Sequence, residues 1–183
     1  IVACHYDVCI SAIGGNPRHL NVQGIDNEMV INAMDYLDDV KVNGKEVVVI
    51  GGGITGAETA LELHGEGKKV TIIEMADQFL APQSNACQAY NIAISQTDIK
   101  IKTGLRLLSV GDKEITLVDR FGNEQTMACD NVVIAAGFVS NDSLYERLYN
   151  ETNLQVFNVG DSKKVRQIFD AVHEGYVAAK LIR

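Results

Sequence analysis

An α/β fold around a parallel sheet is predicted by three neighbouring passages: a β-branched run ending in glycines, a helical stretch directly after it, and a second β-branched run closed by an acid. After Glu46 the first run, Val47-Val48-Val49-Ile50, is continuously apolar, as a strand covered on both faces must be. It ends in Gly51-Gly52-Gly53-Ile54-Thr55-Gly56, and from Ala57 to Leu63 apolar residues recur at helical spacing until Gly65 and Gly67 stop them. Lys69-Val70-Thr71-Ile72-Ile73-Glu74 reads as the second strand. Together these make a βαβ unit of about 30 residues, the opening of a doubly wound sheet.

Further along, residues 77 to about 95 occupy the place of the next crossover helix, and Ile99-Lys100-Ile101 the strand after it. Three short runs, Leu105 to Val110, Glu114 to Arg120 and Glu124 to Ala128, are punctuated by Gly111-Asp112 and Gly122-Asn123 and predict an antiparallel meander. Asn131-Val132-Val133-Ile134-Ala135-Ala136-Gly137 returns the chain to the parallel sheet. Outside this central region lie two isolated strand patterns, 6–14 and 154–160. An amphipathic pattern over 165–182 follows, whose stripe of Ile168, Phe169, Val172, Tyr176, Ala179 and Ile182 is expected to bury against a sheet built from the two flanks. The expected division is therefore 1–44 and 139–183 as two segments of one partial domain, with 45–138 inserted between them.

Composition narrows the partners. The chain has 183 residues, 46% of them hydrophobic, and 24 Asp+Glu against 16 Lys+Arg give a net charge of -8. That is the wrong sign for coating nucleic acid or an anionic bilayer, and no apolar run is long enough for a membrane span. The start of the sequence has neither the basic opening nor the apolar middle of a signal peptide, so a cytoplasmic fragment of a larger protein is expected. Cys4, Cys9, Cys87 and Cys129 show no C-x-x-C spacing and read as reduced packing residues, which disfavours a dithiol mechanism. His5, His19, His64 and His173 have no partners at ligand or triad spacing, so neither a catalytic base nor a metal site is assigned.

The chemistry lies in the glycine turn. Gly51, Gly53 and Gly56 have dinucleotide-fingerprint spacing, in a Rossmann-like setting of strand before and helix after. Gly51 permits the tight turn, Gly53 lets backbone approach a pyrophosphate, and Gly56 allows close packing of helix on strand. The amides of Ile54, Thr55 and Gly56 supply positive potential at the helix start. Glu74, about 20 residues on, is the acid that accepts a hydrogen bond from the adenosine ribose 2′-hydroxyl, and with no arginine in Glu74-Met75-Ala76-Asp77, NADH is expected over NADPH. Glu58, early in the helix, either turns toward the ligand or compensates the helix dipole.

VVVIGGGITGAETALEL (47–63), GKKVTIIEM (67–75), NVVIAAGFVSNDSL (131–144) and VFNVGDSKKVRQIFDAVHEGYVAA (156–179) carry a resemblance over nearly the whole chain. The chain resembles the C-terminal FAD/NADH-binding region of NADH:flavin oxidoreductases of the 2-enoate reductase and 2,4-dienoyl-CoA reductase type, which share a pyridine nucleotide-disulfide oxidoreductase-like fold. The resemblance implies a Rossmann-like NADH domain with a three-stranded meander, set into a second, FAD-type dinucleotide-binding domain present only in part. It implies that Gly14, Gly160 and Asp161 lie on the flavin side, Asp161 accepting from a ribityl hydroxyl and the next helix aiming its N-terminus at the flavin. Gly137 would end the equivalent strand beside NADH. Ala12-Ile13-Gly14 departs from the family's usual Ala-Thr-Gly.

The family's first FAD fingerprint, its FMN-holding barrel and its iron–sulfur cysteines would all precede Ile1. The resemblance therefore implies an electron-input region that passes hydride from NADH to FAD in the full-length enzyme and is inactive alone. Its expected partners are the nucleotide cofactors and the missing N-terminal flavin domain. Apolar faces left open by the incomplete domain can drive homodimerisation. The alternative is a structural domain that holds ADP without a redox role, since the same fingerprint binds either nucleotide.

Overall fold

The computed structural model describes residues 6–80 and 85–182. Cys4 and His5 lie outside these residues, as do residues 81–84 of the expected 77–95 helix. In chain order the strands are β1 (Val8–Ser11), β2 (Gly15–Pro17), β3 (Val30–Asn32), β4 (Glu46–Ile50), β5 (Lys69–Ile73), β6 (Lys100–Lys102), β7 (Leu105–Val110), β8 (Glu114–Asp119), β9 (Glu124–Ala128), β10 (Asn131–Ile134), β11 (Phe138–Ser140) and β12 (Gln155–Asn158). The helices are α1 (Ala33–Leu37), α2 (Ile54–Gly65), α3 (Asn85–Ser95), α4 (Ser143–Glu151) and α5 (Ile168–Leu181). No helix among the described residues is long and apolar enough to cross a membrane.

Two compact units divide the chain, residues 19–137 and the pair of segments 1–18 and 138–183. The central unit is built on a five-stranded parallel sheet in the order β3-β10-β4-β5-β6. Residues 19–44, expected with the first flank, belong here because Val30, Ile31 and Asn32 pair in parallel with Val132, Val133 and Ile134. Asn32 then caps α1, its side chain accepting from the Met34 amide.

Covering on both faces explains the unbroken apolar run of β4. Val47 and Val49 point into a core shared with Ala57, Ala60 and Leu63 of α2, whereas Val48 and Ile50 join Leu105, Leu107, Ile115 and Leu117 of the antiparallel β7-β8-β9 sheet. A clamp sets the start of β4: Asp130 Oδ2 accepts from the amides of Lys45 (2.8 Å) and Glu46 (2.9 Å), and Asn131 Oδ1 from Gly44 (2.9 Å). Those backbone bonds, the Glu46 amide foremost, hold the Asp130 carboxyl below the usual carboxylate range.

In the flanking unit, β1 pairs in parallel with β12, and β2 pairs antiparallel with β11. The expected burial of the α5 stripe is corrected here. Ile168, Phe169, Val172 and Tyr176 are 85%, 76%, 67% and 60% exposed, and Ala178 is the helix's buried residue. Sheets of two strands are too narrow to cover a helix of 14 residues.

At Gly56, a Cβ would lie 1.9 Å from the Gly51 carbonyl oxygen. Alanine gains roughly 1 kcal/mol of helix propensity over glycine, but forcing a methyl against backbone costs about 1–3 kcal/mol or more. Gly56→Ala is expected to lower stability by about 1–2 kcal/mol net, read from the midpoint of denaturant unfolding at unchanged slope.

Candidate functional site

The glycine turn joins β4 to α2. Gly51 has φ +118°, a conformation glycine supplies, and a Cβ there would lie 2.2 Å from the Ala135 carbonyl oxygen. Its amide donates to Ile73 O at 2.8 Å, tying the turn to the end of β5. Gly53 is the N-cap of α2, and the space that a Cβ on it would enter holds no protein atom within 4 Å. The first amide to bond back into the helix is that of Ala57, donating to Gly53 O at 3.0 Å. The amides of Ile54, Thr55 and Gly56 therefore lie in the turn that has no intrahelical acceptors. The protein leaves the space beside Gly53 unfilled, and unbonded amides at a helix start next to open space accommodate an anion.

Glu74 stands directly after β5, and its carboxylate bridges two loops: Oε2 accepts from the Gly52 amide and Oε1 from the Ala76 amide, both at 2.6 Å. An ionised carboxylate has about four acceptor positions, so these two bonds orient the group without exhausting it. The Leu80 amide donates to Gly52 O at 3.0 Å, folding the loop after β5 back onto the same turn. Gly137, two residues beyond the Ala135 that packs on Gly51, has φ +82° and open space at its Cβ position.

Glu58 is exposed on α2, and its carboxylate accepts from the Tyr90 hydroxyl of α3. Burial first, then the Glu58 charge, raises the Tyr90 phenol above its ordinary value. This contact ties Glu58 to the packing of α2 on α3. Burial and the neighbouring Asp130 likewise push the Cys129 thiol up to about 11, so it is protonated at neutral pH.

In the flanking unit, Gly14 has φ +77° and no atom within 4 Å of its Cβ position. Gly160, at φ +66°, opens a 3₁₀ turn over Gly160–Ser162 that packs on α5, where a Cβ would approach the Ala171 Cβ to 3.2 Å. The Gly160 amide donates to Glu174 Oε2 at 2.8 Å, and Glu174 also pairs with Arg166 and, at 3.4 Å, with Lys163. The Asp161 Oδ1 accepts from the Arg166 amide at 3.1 Å. Ser162, fully buried, has its one hydroxyl proton within donating distance of Ser11 O, Asn158 Oδ1 and Val159 O, between β1 and the end of β12.

The structure thus gathers Gly51, Gly53, Ile54, Thr55, Gly56 and Glu74 around one turn. It also fixes Gly160 and Asp161 through groups that sequence reading missed, Glu174, Arg166 and Ser162. Glu174 lies 14 positions from Gly160, and no local pattern marks a bond between the end of a strand and the middle of a later helix.

The Gly160 amide first, then Arg166 and Lys163, hold the Glu174 carboxyl below its ordinary 4.5. Because the folded value is depressed, this contribution is present above 4.5 and is lost as pH falls through the lower folded value. Carbon-detected NMR titration is expected to place Glu174 below 4.5. Protection of the Gly160 amide is expected to be lost over that same range, and Glu174→Gln to show no such step.

Residues 3–169 match the Pyridine nucleotide-disulphide oxidoreductase family. The chain is 33% identical to the cinnamate reductase of Clostridium sporogenes over 96% of its own length and 26% of that protein's. It is 30% identical to the NADH oxidase of Thermoanaerobacter brockii over 98% of its length and 28% of that protein's. Among solved structures, a 2-naphthoyl-CoA reductase in complex with 2-naphthoyl-CoA superposes with a TM-score of 0.84 at 31% identity, covering 97% of this chain and 27% of that one. The T. acidophilum thioredoxin reductase gives 0.73 at 25% identity over 93% and 63%. The chain therefore spans between 26% and 28% of the length of the first three proteins.

Proposed function

We propose that this chain, which belongs to the pyridine nucleotide-disulphide oxidoreductase family, is the NADH-binding electron-input region of a larger flavin-dependent oxidoreductase of the enoate reductase type. The observation that carries the reading is the placement of Glu74, whose carboxylate is held by the Gly52 and Ala76 amides at the mouth of the glycine turn.

The residues divide the work. Gly51 and Gly56 bring the helix start against the strand end, Gly53 leaves room for a pyrophosphate, and the amides of Ile54, Thr55 and Gly56 bind its charge. Glu74 accepts from the adenosine ribose, and Gly137 leaves the end of β10 open alongside. Segments 1–18 and 138–183 are assigned to a partial FAD-binding domain and 19–137 to the NADH-binding domain. Gly14 and Gly160 give the flavin side its positive-φ turns, and Asp161 keeps acceptor capacity beyond its bond to Arg166 for a ribityl hydroxyl. The uncovered stripe of α5 supports the assignment of that unit as one part of a larger domain. The chemistry supplied by the bound cofactors is hydride transfer from nicotinamide to flavin. FMN, an iron–sulfur centre and the substrate alkene are assigned to the remainder of the parent enzyme, a cytoplasmic protein on this reading.

Calorimetric titration of the chain with NADH, ADP and FAD tests the reading. NADH is expected to bind more tightly than ADP, with FAD weak. Loss of a hydrogen bond to a charged group is worth about 1.5–3 kcal/mol, so Glu74→Ala is expected to weaken NADH at least about 10-fold. Equal affinity for NADH and ADP would instead identify a structural nucleotide site, and an unchanged Glu74→Ala affinity would remove Glu74 from it.

A further inference from the structure

Residues 74–77 contain no arginine, yet the fold delivers one there from 43 positions away. Arg120, in the β8–β9 connection, donates from one guanidinium nitrogen to Asp77 Oδ2 at 3.1 Å. The placement is built from both sides. On the arginine's side, Asp119 closes the connection, accepting from the amides of Phe121 (2.8 Å) and Asn123 (2.9 Å) and from the Asn123 side chain (2.8 Å). The guanidinium also stands 5.3 Å from the centre of the Phe121 ring. On the acid's side, Glu74 fixes the backbone that leads to Asp77: its Oε1 takes the Ala76 amide, its own carbonyl takes the Leu105 amide at 3.1 Å, and Ala76 O takes the Gly104 amide at 2.9 Å. Asp77 follows Glu74 by three residues, a span of at most about 11 Å.

A nucleotide ribose held by Glu74 would thus have the charges of Glu74, Asp77 and Arg120 on the loops around it, with Lys102, whose carbonyl accepts from the Glu74 amide at 2.9 Å, on the neighbouring strand. Glu74 is committed to backbone amides. The arginine, the kind of residue that receives a 2′-phosphate when it is free, is committed to Asp77. We propose that the Asp77–Arg120 pair is a second element of cofactor selection: Asp77 is a positioning residue that keeps Arg120 neutralised and engaged, so that this arginine is not available to a 2′-phosphorylated nucleotide. The proposal rests on the NADH reading above and adds to it that selectivity is divided between an acid that accepts the ribose and an ion pair that withholds an arginine.

A double-mutant cycle read by calorimetric Kd for NADH and NADPH distinguishes this from a simple change in local charge. The two side chains are 67% and 70% exposed, so their mutual attraction is modest and screened by salt. In Asp77→Asn, affinity for NADPH relative to NADH is expected to rise about 5-fold at low salt, and less at high salt. Arg120→Ala alone is expected to leave the ratio within about 2-fold of the parent, because the arginine is already occupied. Adding Arg120→Ala to Asp77→Asn is expected to abolish the gain. An unchanged ratio in Asp77→Asn overturns the proposal, as does an Arg120→Ala effect of equal size in both backgrounds, which would be additive electrostatics. NADH affinity in each variant reports that the site is folded. Parent protein that binds NADH no better than ADP would overturn the NADH reading first and this proposal with it.

Discussion

Two backbone contacts at the end of β4 constrain everything around them. A Cβ on Gly56 would sit 1.9 Å from the Gly51 carbonyl oxygen, and one on Gly51 2.2 Å from that of Ala135. Neither obstacle is a side chain that can swing aside. The first turn of α2 is therefore pressed against the ends of β4 and β10, closer than any side chain permits. The same spot is stitched by the Gly51 amide to Ile73 O and by the Ala135 amide to Ile50 O, both at 2.8 Å. Three strand ends and a helix start are fixed as one piece, and the direction of the helix dipole is fixed with them.

That fixed corner gives Glu74 its meaning. A carboxylate near a helix start is favourable electrostatically, but an ordinary surface acid samples many rotamers and recognises little. Here two amide bonds of 2.6 Å, short as charge-assisted bonds are, hold the group against Gly52 and Ala76. Hydrogen bonds to a charged group contribute about 1.5–3 kcal/mol, whereas an exposed ion pair such as Arg120–Asp77 contributes about 0–1 kcal/mol. The magnitudes rank the two: on the proposed reading the carboxylate carries recognition of a ribose, and the ion pair only tunes which ribose is accepted.

The legible parts of the sequence were those whose local pattern and tertiary environment agree. β4 has the bounds that its apolar run and the glycines after it predict, and β7 and β9 those set by the glycine punctuation around them. β2, β3 and β11 have three residues each, and α1 five, too few for any period, and they take their conformation from partners distant in sequence. β3 is the clearest case, because Val30-Ile31-Asn32 acquires its register from β10 a hundred residues later and carries residues 19–44 into the central unit. α4 was missed for another reason: Leu144 and Leu148 are its only aliphatic residues, and among polar neighbours they make a sparse stripe. At the site, the glycines and Glu74 were legible because a fingerprint keeps its parts close in sequence. Arg120, Glu174 and Ser162 were not, since each meets its partner through the folded chain.

The two units also differ in what orders them. In the central unit, alternate residues of one strand enter two separate cores, so each of Val47, Val48, Val49 and Ile50 contributes fully buried apolar surface. Full burial of such a side chain is worth about 1.5–3 kcal/mol, and it needs no particular polar group to persist. The flanking unit leaves Ile168, Phe169, Val172 and Tyr176 in water and forgoes that term for them, burying Leu148, Val159 and Ala178. Its turn at Gly160 is instead defined by polar ties, the Gly160 amide to Glu174, Glu174 to Arg166 and Lys163, and Ser162 to β1 and β12. Hydrogen bonds are directional and burial is not, so polar ties can place Gly160 and Asp161 accurately while contributing less to the stability of the unit around them. The glycine turn at Gly51 therefore rests on a covered sheet, and the turn at Gly160 on a polar network, which is what this division of apolar surface dictates.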